Sequence, residues 1–350
     1  MEHSAAKPGR IVVLGAGSIG VYVGLSLAQA GADVVLLGRP GMAARLAQGA
    51  LLSDLQARQL AVPAARIAFS SDAAGLAQAS LILVTVKRAD SAAAAAQIAA
   101  HAPPDAIVLS LQNGIGNSAE LAAALPGRTV VAGMVPFNVA QIGSQRFHRG
   151  TEGELMAETA PALAPWLDVF AAANLPLQQR ADFVAVQWGK LLLNLNNAVN
   201  ALSGLPLKTE LSQRAYRRCL ALLMEEALAA LQAAGIAPAK LARVGPRLLP
   251  VMLRLPDWLF LRLAKAMLKI DPEARSSMWE DLQAGRRTEI DYLNGAVVAL
   301  AAQQGVPAPA NARMVALVHG AEQGGQAGME GAALLAALRG QACVRTLQNM

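Results

Sequence analysis

The amino-acid sequence predicts an α/β fold in which an N-terminal domain with a parallel β-sheet precedes an all-helical C-terminal domain. In the first half of the chain, short apolar runs alternate with helix-forming stretches. This alternation is typical of a parallel sheet that helices cover on both faces. From about Pro161 onwards long helical stretches follow one another, with Gly or Pro where they break. The length of 350 residues also favours two domains.

The apolar runs that we interpret as strands cover residues 10–14, 33–37, 81–86 and 106–111. A helix is predicted over residues 18–30, where Gly31 ends the pattern, and an alanine-rich helix precedes the fourth strand. Further helices are predicted over residues 182–201, 211–234 and 289–304. We therefore expect domains over residues 8–181 and 182–322, and a less ordered, Gly- and Ala-rich tail over residues 323–350.

Composition and charge exclude several classes of protein. Hydrophobic residues make up 54% of the chain and charged residues 15%, a balance that rules out intrinsic disorder. The formal net charge is +6, but the basic clusters are short, namely Arg217 with Arg218 and Arg286 with Arg287. We therefore expect no nucleic-acid partner. The two cysteines, Cys219 and Cys343, make neither a disulfide framework nor a CxxC site, which predicts a reducing, cytoplasmic location.

Residues 248–270 form an apolar segment that charged residues and prolines interrupt. Arg254, Asp257 and Lys265 are among the interruptions, so we expect no integral membrane span. The segment is interpreted as an amphipathic helix that packs within the protein or against a second copy in a homodimer. Contact with a membrane surface is the alternative.

A glycine-rich turn follows the first predicted strand and opens the first predicted helix. Gly15 permits the tight turn, Gly17 lets the backbone approach a pyrophosphate, and Gly20 allows the helix to pack closely on the strand. The helix N-terminus then offers free N–H groups to the phosphates. The order of strand, turn, helix and strand predicts a Rossmann-type dinucleotide site formed by Gly15, Ala16, Gly17, Ser18, Ile19 and Gly20.

The end of the second strand indicates which dinucleotide binds. NAD sites usually place an acidic residue there, whereas NADP sites favour Arg. The chain has Arg39 at this tip, while Asp33 lies at the wrong end of the strand. We therefore predict NADP(H), with Arg39 on the 2′-phosphate; an ordinary surface arginine is the alternative. Lys87 follows the third strand, at the sheet edge where ligands gather.

Polar residues in three segments are candidates for the chemistry. Asn113 lies in an Asn-Gly turn after the fourth strand, at the same sheet edge. Lys190, Asn194 and Asn197 have the spacing that places them on one face of a continuous helix. Because a lysine and amides are costly to bury among leucines, they favour a polar pocket over simple solvent exposure.

The third segment has Ser277, Thr288 and Glu289, of which the first two can be helix caps. No Ser-His-Asp order or metal-ligand cluster stands out, so we expect no metal. The four histidines are scattered and are interpreted as surface residues; they are His3, His101, His148 and His319.

Together these segments resemble ketopantoate reductase, or 2-dehydropantoate 2-reductase. The resemblance follows almost the whole chain in order, through GAGSIG, TVK, QNGIG, WGKLLLN, SSMWEDL and RRTEIDYLNG. The last three motifs are specific to this family, whereas the first marks any Rossmann protein. The resemblance implies a Rossmann domain, a helical domain and a cleft between them. It also implies reduction of ketopantoate to pantoate by NADPH, on the route to pantothenate and coenzyme A.

The resemblance also implies roles for individual residues. Lys190 matches the proton donor to the substrate carbonyl, and Glu289 matches the glutamate that orders the active site with cofactor and substrate. Asn113 matches an asparagine near nicotinamide and substrate. The positions that match substrate-binding residues are Asn194 and Ser277, and those that match cofactor-binding residues are Arg39 and Lys87.

One position departs from the family pattern. Where the family has a second asparagine eight residues after the lysine, this chain has Ala198, and Asn197 is the expected substitute. The segment over residues 241–270 also looks longer and more apolar than in compact family members. The family resemblance makes ketopantoate the expected substrate. Because of these two departures, another branched 2-oxo acid is one alternative. A dinucleotide sensor without turnover is the other, although Lys190 and Glu289 argue against it.

Overall fold

The computed structural model describes residues 9–241, 244–264, 274–325 and 327–340, which fall into two compact units, residues 1–183 and 184–350. The strands are β1 Arg10–Leu14, β2 Val34–Leu37, β3 Ala50–Asp54, β4 Gln59–Val62, β5 Ala68–Ser70, β6 Ala79–Val84, β7 Ile107–Ser110, β8 Val130–Met134, β9 Val139–Ile142, β10 Arg146–Arg149, β11 Leu155–Glu158 and β12 Leu177–Arg180. The helices of the first unit are α1 Ser18–Gln29, α2 Pro40–Leu46, α3 Ser91–His101, α4 Asn117–Ala124 and α5 Leu167–Ala172.

The second unit is helical throughout its described part. Its helices are α6 Phe183–Asn194, α7 Asn196–Ser203, α8 Leu207–Ser212, α9 Arg214–Ala233, α10 Leu249–Leu253, α11 Asp257–Leu263, α12 Ser277–Gln283, α13 Ile290–Gln303, α14 Pro309–Glu322 and α15 Gly331–Leu338. The predicted fold class, a parallel-sheet α/β domain followed by a helical domain, is confirmed. None of the helices in the described ranges is long and apolar enough to cross a bilayer.

An eight-stranded sheet forms the centre of the first unit, in the order β12-β11-β8-β7-β6-β1-β2-β5. The strands from β8 to β5 run parallel, while β11 runs antiparallel to β8. Side chains of β1 alternate between two hydrophobic clusters, with Ile11 and Val13 in one and Val12 and Leu14 in the other. The sheet is therefore buried on both faces, which explains why its strands have continuous apolar sequences.

A second sheet of four strands, in the order β4-β3-β10-β9, was not predicted from the sequence. Its strands are four or five residues long and largely half-buried or exposed, so they lack a continuous apolar run. Its fully buried residue, Phe147, belongs to one of the two clusters of the main sheet. The sheet therefore depends on tertiary packing rather than on local sequence.

Arg217 on α9 joins α10 and α11 to the rest of the helical unit. Its side chain is fully buried, and its guanidinium donates hydrogen bonds to the carbonyl oxygens of Leu211, Leu253 and Leu255. It also forms a 2.8 Å ion pair with Asp257 and lies 4.1 Å from the centre of a phenyl ring. Arg217 is thus a structural residue, and the Arg217–Arg218 pair is not a basic surface cluster.

Two predictions on helix boundaries were wrong in detail. The helix predicted over residues 182–201 is interrupted at Leu195, between α6 and α7, and the one over residues 211–234 begins anew at Arg214. The tail beyond Gln323 was expected to be less ordered, yet α15 packs there, with Leu334 fully buried and Tyr216 bonded to the Met329 carbonyl. Residues 341–350 lie outside the described residues.

The apolar segment predicted as one amphipathic helix contains two short helices, α10 and α11. Leu248, Val251, Trp258 and Leu263 are exposed on it, while its buried side is held by Arg217. The part over residues 265–270 lies outside the described residues.

Candidate active site

The glycine turn lies at the carboxyl end of β1, which has β2 on one side and β6 on the other. At this point the strand order reverses, and ligands of open α/β sheets bind at such switch points. Gly15 has φ +111°, and a Cβ there would lie 2.5 Å from the Val86 nitrogen. A Cβ on Gly20 would lie 2.3 Å from the Gly15 carbonyl oxygen. Steric exclusion therefore requires glycine at both positions.

Gly17 differs from these two glycines because, apart from its chain neighbours, no atom of the described residues lies within 4 Å of the place where its Cβ would be. It precedes α1, whose N-terminus has no side-chain cap and no acidic residue in its first turn. No side chain of the first turn therefore competes with a ligand for the backbone N–H groups around Ser18 and Ile19. Such an N-terminus is suited to an anionic group, and the turn fits the pyrophosphate of a dinucleotide.

The end of β2 carries the residue that was predicted to choose the dinucleotide. Gly38 is needed there because its Cβ would lie 2.6 Å from the Ala16 Cβ. Arg39 follows, 88% exposed, with a guanidinium nitrogen 3.5 Å from an Asp90 carboxylate oxygen. The tip of the strand therefore presents an exposed cation rather than an acidic side chain, and this exposed contact with Asp90 is weak enough to be exchanged for a ligand.

The ends of β6 and β7 lie beside the glycine turn. Thr85 after β6 donates from its hydroxyl to the Gly15 carbonyl, at 2.7 Å, and Lys87 is exposed two residues later. Gln112 after β7 is buried and donates to the Val86 carbonyl and to the Ser91 hydroxyl, at 3.1 and 2.7 Å. These bonds fix the turn that carries the half-buried Asn113.

Asn113 was predicted from the sequence as a site residue, but the positioning role of Gln112 was not. A buried side-chain amide that binds two neighbouring elements cannot be recognised from spacing alone. The one available signal was a glutamine directly after an apolar strand, where burial demands partners.

Lys190 lies on α6 in the second unit, next to a glycine that allows close packing. A Cβ on Gly189 would lie 2.5 Å from the Ala239 carbonyl oxygen, and the Ala239 N–H donates to the Ala185 carbonyl at 2.8 Å. The chain after α9 therefore passes directly over α6. Trp188, which precedes this glycine in the sequence, is buried, and Lys190, which follows it, is half-buried.

The charge on Lys190 depends on two opposing effects. Burial lowers the pKa of its amine to about 8, and the negative charge of Glu289, immediately before α13, raises it. The net result is an ammonium group that titrates close to neutral pH, as suits a group that both donates and accepts protons. The structure thus brings together Lys190 and Glu289, which are 99 positions apart in the sequence.

The break at Leu195 changes how the amides are arranged after Lys190. Asn194 is the last residue of α6, one turn after the lysine, and is half-buried. Asn197 belongs to α7 and is half-buried, so its relation to Lys190 is not that of one continuous helix. Ala198, at the position of the expected asparagine, is fully buried.

A buried carboxyl group, Glu210 on α8, organises α7 from the inside. Its Oε2 accepts a 2.8 Å hydrogen bond from the Asn200 amide and a longer one, 3.4 Å, from Asn196. Burial raises the pKa of Glu210 to about 8, although both amides act to lower it. The carboxyl group is therefore mostly protonated at neutral pH.

The same network connects α7 to the start of α12. The Asn200 Oδ1 accepts from the Ser276 N–H at 2.8 Å, and the Ser276 hydroxyl donates to the Asn197 carbonyl at 3.1 Å. Ser276 also caps α12, since its hydroxyl accepts from the Trp279 N–H. Ser277, which was weighed as a cap, is instead the first residue of α12 and is exposed. The network therefore holds Asn197 and Ser277 close in the fold.

The first unit has the fold and the glycine turn of a dinucleotide-binding domain, and the second supplies a lysine that titrates near neutral pH. Together they define the class of the protein as a dinucleotide-binding oxidoreductase. The family model described as ketopantoate reductase PanE/ApbA matches residues 11–161, and the model for its C-terminal domain matches residues 182–322. The chain belongs to the ketopantoate reductase family.

Individual relatives agree with this assignment. The chain is 27% identical over 329 residues to the 2-dehydropantoate 2-reductase of Halobacterium salinarum, a match that covers 90% of this chain and 100% of that protein. It is 31% identical over 242 residues to the enzyme of the same name from Pyrobaculum aerophilum, covering 69% of this chain and 76% of that protein. A crystal structure of a family member from Ralstonia eutropha JMP134 has a TM-score of 0.75 and 30% identity, and covers 90% of this chain and 99% of that one.

The protonation of Glu210 predicts how stability changes with pH. Its pKa is raised from 4.5 in an unfolded chain to about 8, so the stabilisation is fully present below about pH 4.5 and is lost as the pH rises through about 8. We expect Glu210→Gln, which stays neutral, to remove much of this loss. The measurement is the melting temperature between about pH 5 and about pH 9. Glu158→Gln, at an exposed position on β11, is the control and should leave the slope unchanged; equal slopes for all three proteins would contradict the assignment.

Proposed function

We propose that this protein reduces 2-dehydropantoate to (R)-pantoate with NADPH, in pantothenate and coenzyme A biosynthesis in the cytoplasm. The observation that supports this most is the environment of Lys190, in a chain of the ketopantoate reductase family. Burial lowers the pKa of its amine to about 8, and the charge of Glu289 acts in the opposite direction. When bound, the nicotinamide supplies a hydride to the 2-oxo carbon. What remains is protonation of the oxygen and binding of the substrate, and both tasks fall to side chains.

Lys190 is the proposed proton donor. As the carbonyl carbon becomes tetrahedral, negative charge develops on its oxygen, and an ammonium N–H at Nζ neutralises that charge by giving up its proton. A lysine with its ordinary pKa would hold its proton too firmly to be an efficient acid near neutral pH. Burial lowers the pKa of Lys190 to about 8 and so improves the match to the operating pH.

Glu289 is the proposed partner of Lys190. Without a nearby negative charge, burial would lower the pKa of Lys190 further and leave more of the amine neutral, with no proton to give. Glu289 opposes this effect and keeps a useful fraction of the ammonium form. In this proposal Glu289 also binds cofactor and substrate, because a carboxylate accepts hydrogen bonds from hydroxyl groups.

The substrate is proposed to bind through neutral hydrogen-bonding side chains. Asn194 lies one turn from Lys190, and Asn197 and Ser277 are joined through Ser276. Asn113, which follows β7, is also proposed to bind substrate. Side-chain amide and hydroxyl groups of this kind suit the carboxylate, carbonyl and hydroxyl groups of a 2-oxo acid.

The cofactor is proposed to be NADP(H), held by the backbone of residues 15–20 and by Arg39, Lys87, Asn113 and Glu289. The fit rests on the open side of Gly17, the uncapped N-terminus of α1 and the absence of an acidic residue at the tip of β2. Arg39 pairs with the 2′-phosphate through its planar fork, in place of its weak contact with Asp90.

The buried Ala198 keeps a second substrate in consideration. A methyl group replaces the amide expected at this position, and it lies in the core of the helical unit. The loss of one hydrogen-bonding group favours the alternative substrate class, which is another branched 2-oxo acid. A homodimer, with the exposed apolar residues of α10 and α11 at the interface, is a further prediction.

Replacement of Lys190 tests the proton donor. We expect Lys190→Ala to lower kcat by about a hundredfold or more, as for the loss of a general acid. Lys190→Arg keeps the positive charge but holds its proton too firmly, so kcat should also fall while KM changes less. The wild-type kcat for reduction should decrease as the pH rises through about 8, because the ammonium form is then lost. Lys208→Ala, at an exposed site on α8, is the control, and an unchanged kcat in Lys190→Ala would remove the assigned role.

Replacement of Arg39 tests the choice of dinucleotide. Arg39→Ala should weaken NADPH by about tenfold or more through the loss of charge-assisted hydrogen bonds, and should affect NADH far less. Binding of both nucleotides is measured by fluorescence titration or calorimetry. Arg45→Ala, on the exposed surface of α2, is the matched control. Equal losses for NADPH and NADH would contradict the contact with the 2′-phosphate.

A panel of 2-oxo acids, assayed with both nicotinamides, tests the function as a whole. We expect the highest kcat/KM for ketopantoate with NADPH. A larger kcat/KM for another branched or an aromatic 2-oxo acid would move the enzyme to that substrate. Dinucleotide binding without turnover of any 2-oxo acid would support a sensor instead.

A further inference from the structure

His319 lies outside the proposed machinery but contacts one end of the turn that carries Glu289 directly and the other end through Glu322. It is in the last turn of α14, and its Nε2 lies 2.9 Å from Oδ1 of Asp291 in the first turn of α13. Its Nδ1 lies 2.9 Å from Oε2 of Glu322. The second oxygen of Glu322, Oε1, accepts a 2.7 Å hydrogen bond from the Thr288 N–H. Thr288 directly precedes Glu289, and Asp291 follows it by two residues. The contacts therefore fix the chain on both sides of Glu289 in the sequence.

The chemistry of the three side chains fixes the charge of the ring. Ionised carboxylates only accept hydrogen bonds, and a neutral imidazole has just one N–H. Only the imidazolium form of His319 therefore donates to Asp291 and Glu322 at the same time. Its place in the last turn of α14 also favours a positive charge.

We propose that His319 is a positioning residue, whose two N–H groups hold the Thr288–Asp291 turn in place so that Glu289 faces Lys190. The proposal rests on the proposed function, in which Glu289 sets the protonation of Lys190. We name the set His319, Glu322, Asp291 and Thr288 the histidine clamp. The helix that carries His319 is also held at its other end. Glu226 on α9 accepts hydrogen bonds from the Ala310 and Asn311 N–H groups at the start of α14.

The clamp is expected to weaken as the pH rises. The charged groups that face the ring, among the described residues, are Glu322 of its own helix and Asp291 of α13, and their hydrogen bonds raise the pKa of His319 above 6.5. For Glu322 burial raises the pKa, but the bonds from His319 and Thr288 together lower it. The clamp is therefore fully formed below about pH 6.5, down to the acidic range in which carboxylates become protonated, and it is lost as the pH rises through the raised pKa of His319 in the folded protein.

The test compares wild-type protein with His319→Gln, and with His101→Gln as a control at an exposed histidine in the last turn of α3. The pKa of Lys190 is followed by 13Cε lysine NMR, with Lys190→Ala to assign the signal, and the pH profiles of kcat and KM are measured in parallel. In His319→Gln we expect the Lys190 pKa to fall below about 8, because Glu289 no longer supports the ammonium form. We also expect the fall of kcat with rising pH to begin at a lower pH than in the wild type, so that kcat/KM at about pH 8 is about tenfold lower.

Asp291→Asn gives a second, milder test in case His319→Gln fails to fold. It removes one of the two charges that favour the imidazolium and so weakens the clamp, and we expect the pKa of Lys190 to fall in this variant as well, by less than in His319→Gln. A merely structural role would lower the melting temperature of both variants without moving the pKa of Lys190, and that result would overturn the proposal. If wild-type protein reduces no 2-oxo acid but the Lys190 pKa still shifts in His319→Gln, the proposed function fails and the clamp stands.

Discussion

The balance between burial and a single negative charge at Lys190 is the constraint on which the candidate site depends. Burial alone favours the neutral amine, and Glu289 restores part of the ammonium form, so the pKa comes to lie at about 8. Lys190 lies on α6 and Glu289 directly precedes α13, which means that the balance exists only while α6 and α13 keep their relative positions. Much of the helical unit can be understood as a means of holding them.

Buried polar groups hold the helices of this unit in their relative positions. Glu210 binds Asn200 and thereby joins α7, α8 and α12, while Glu226 binds the start of α14. Each group gives up hydration when it is buried, and the cost is recovered only in one arrangement of its partners. Networks of this kind add less to stability than apolar packing does, but they specify which helices meet and in what register. In the helical unit, that register decides where the amides and the lysine are displayed.

The dinucleotide-binding unit relies on a different constraint, the space left by absent side chains. Gly15 and Gly20 are needed because protein atoms occupy the positions of their Cβ atoms, whereas Gly17 leaves its Cβ position open. The first two glycines build the turn and the third leaves room for a ligand. Local steric rules of this kind act over a few residues, which is why they can be recognised in the sequence.

The sequence alone determined four central strands of the main sheet, the glycine turn and the two-domain class, because apolar periodicity and glycine spacing are local signals. It also indicated Lys190 and Glu289, but only through resemblance to a family. Tertiary structure decided the break at Leu195, the burial of Arg217, the four-stranded sheet and the pairing of His319 with two carboxylates. These features depend on contacts between residues far apart in the chain, and no pattern within one segment specifies the partner of a buried polar group.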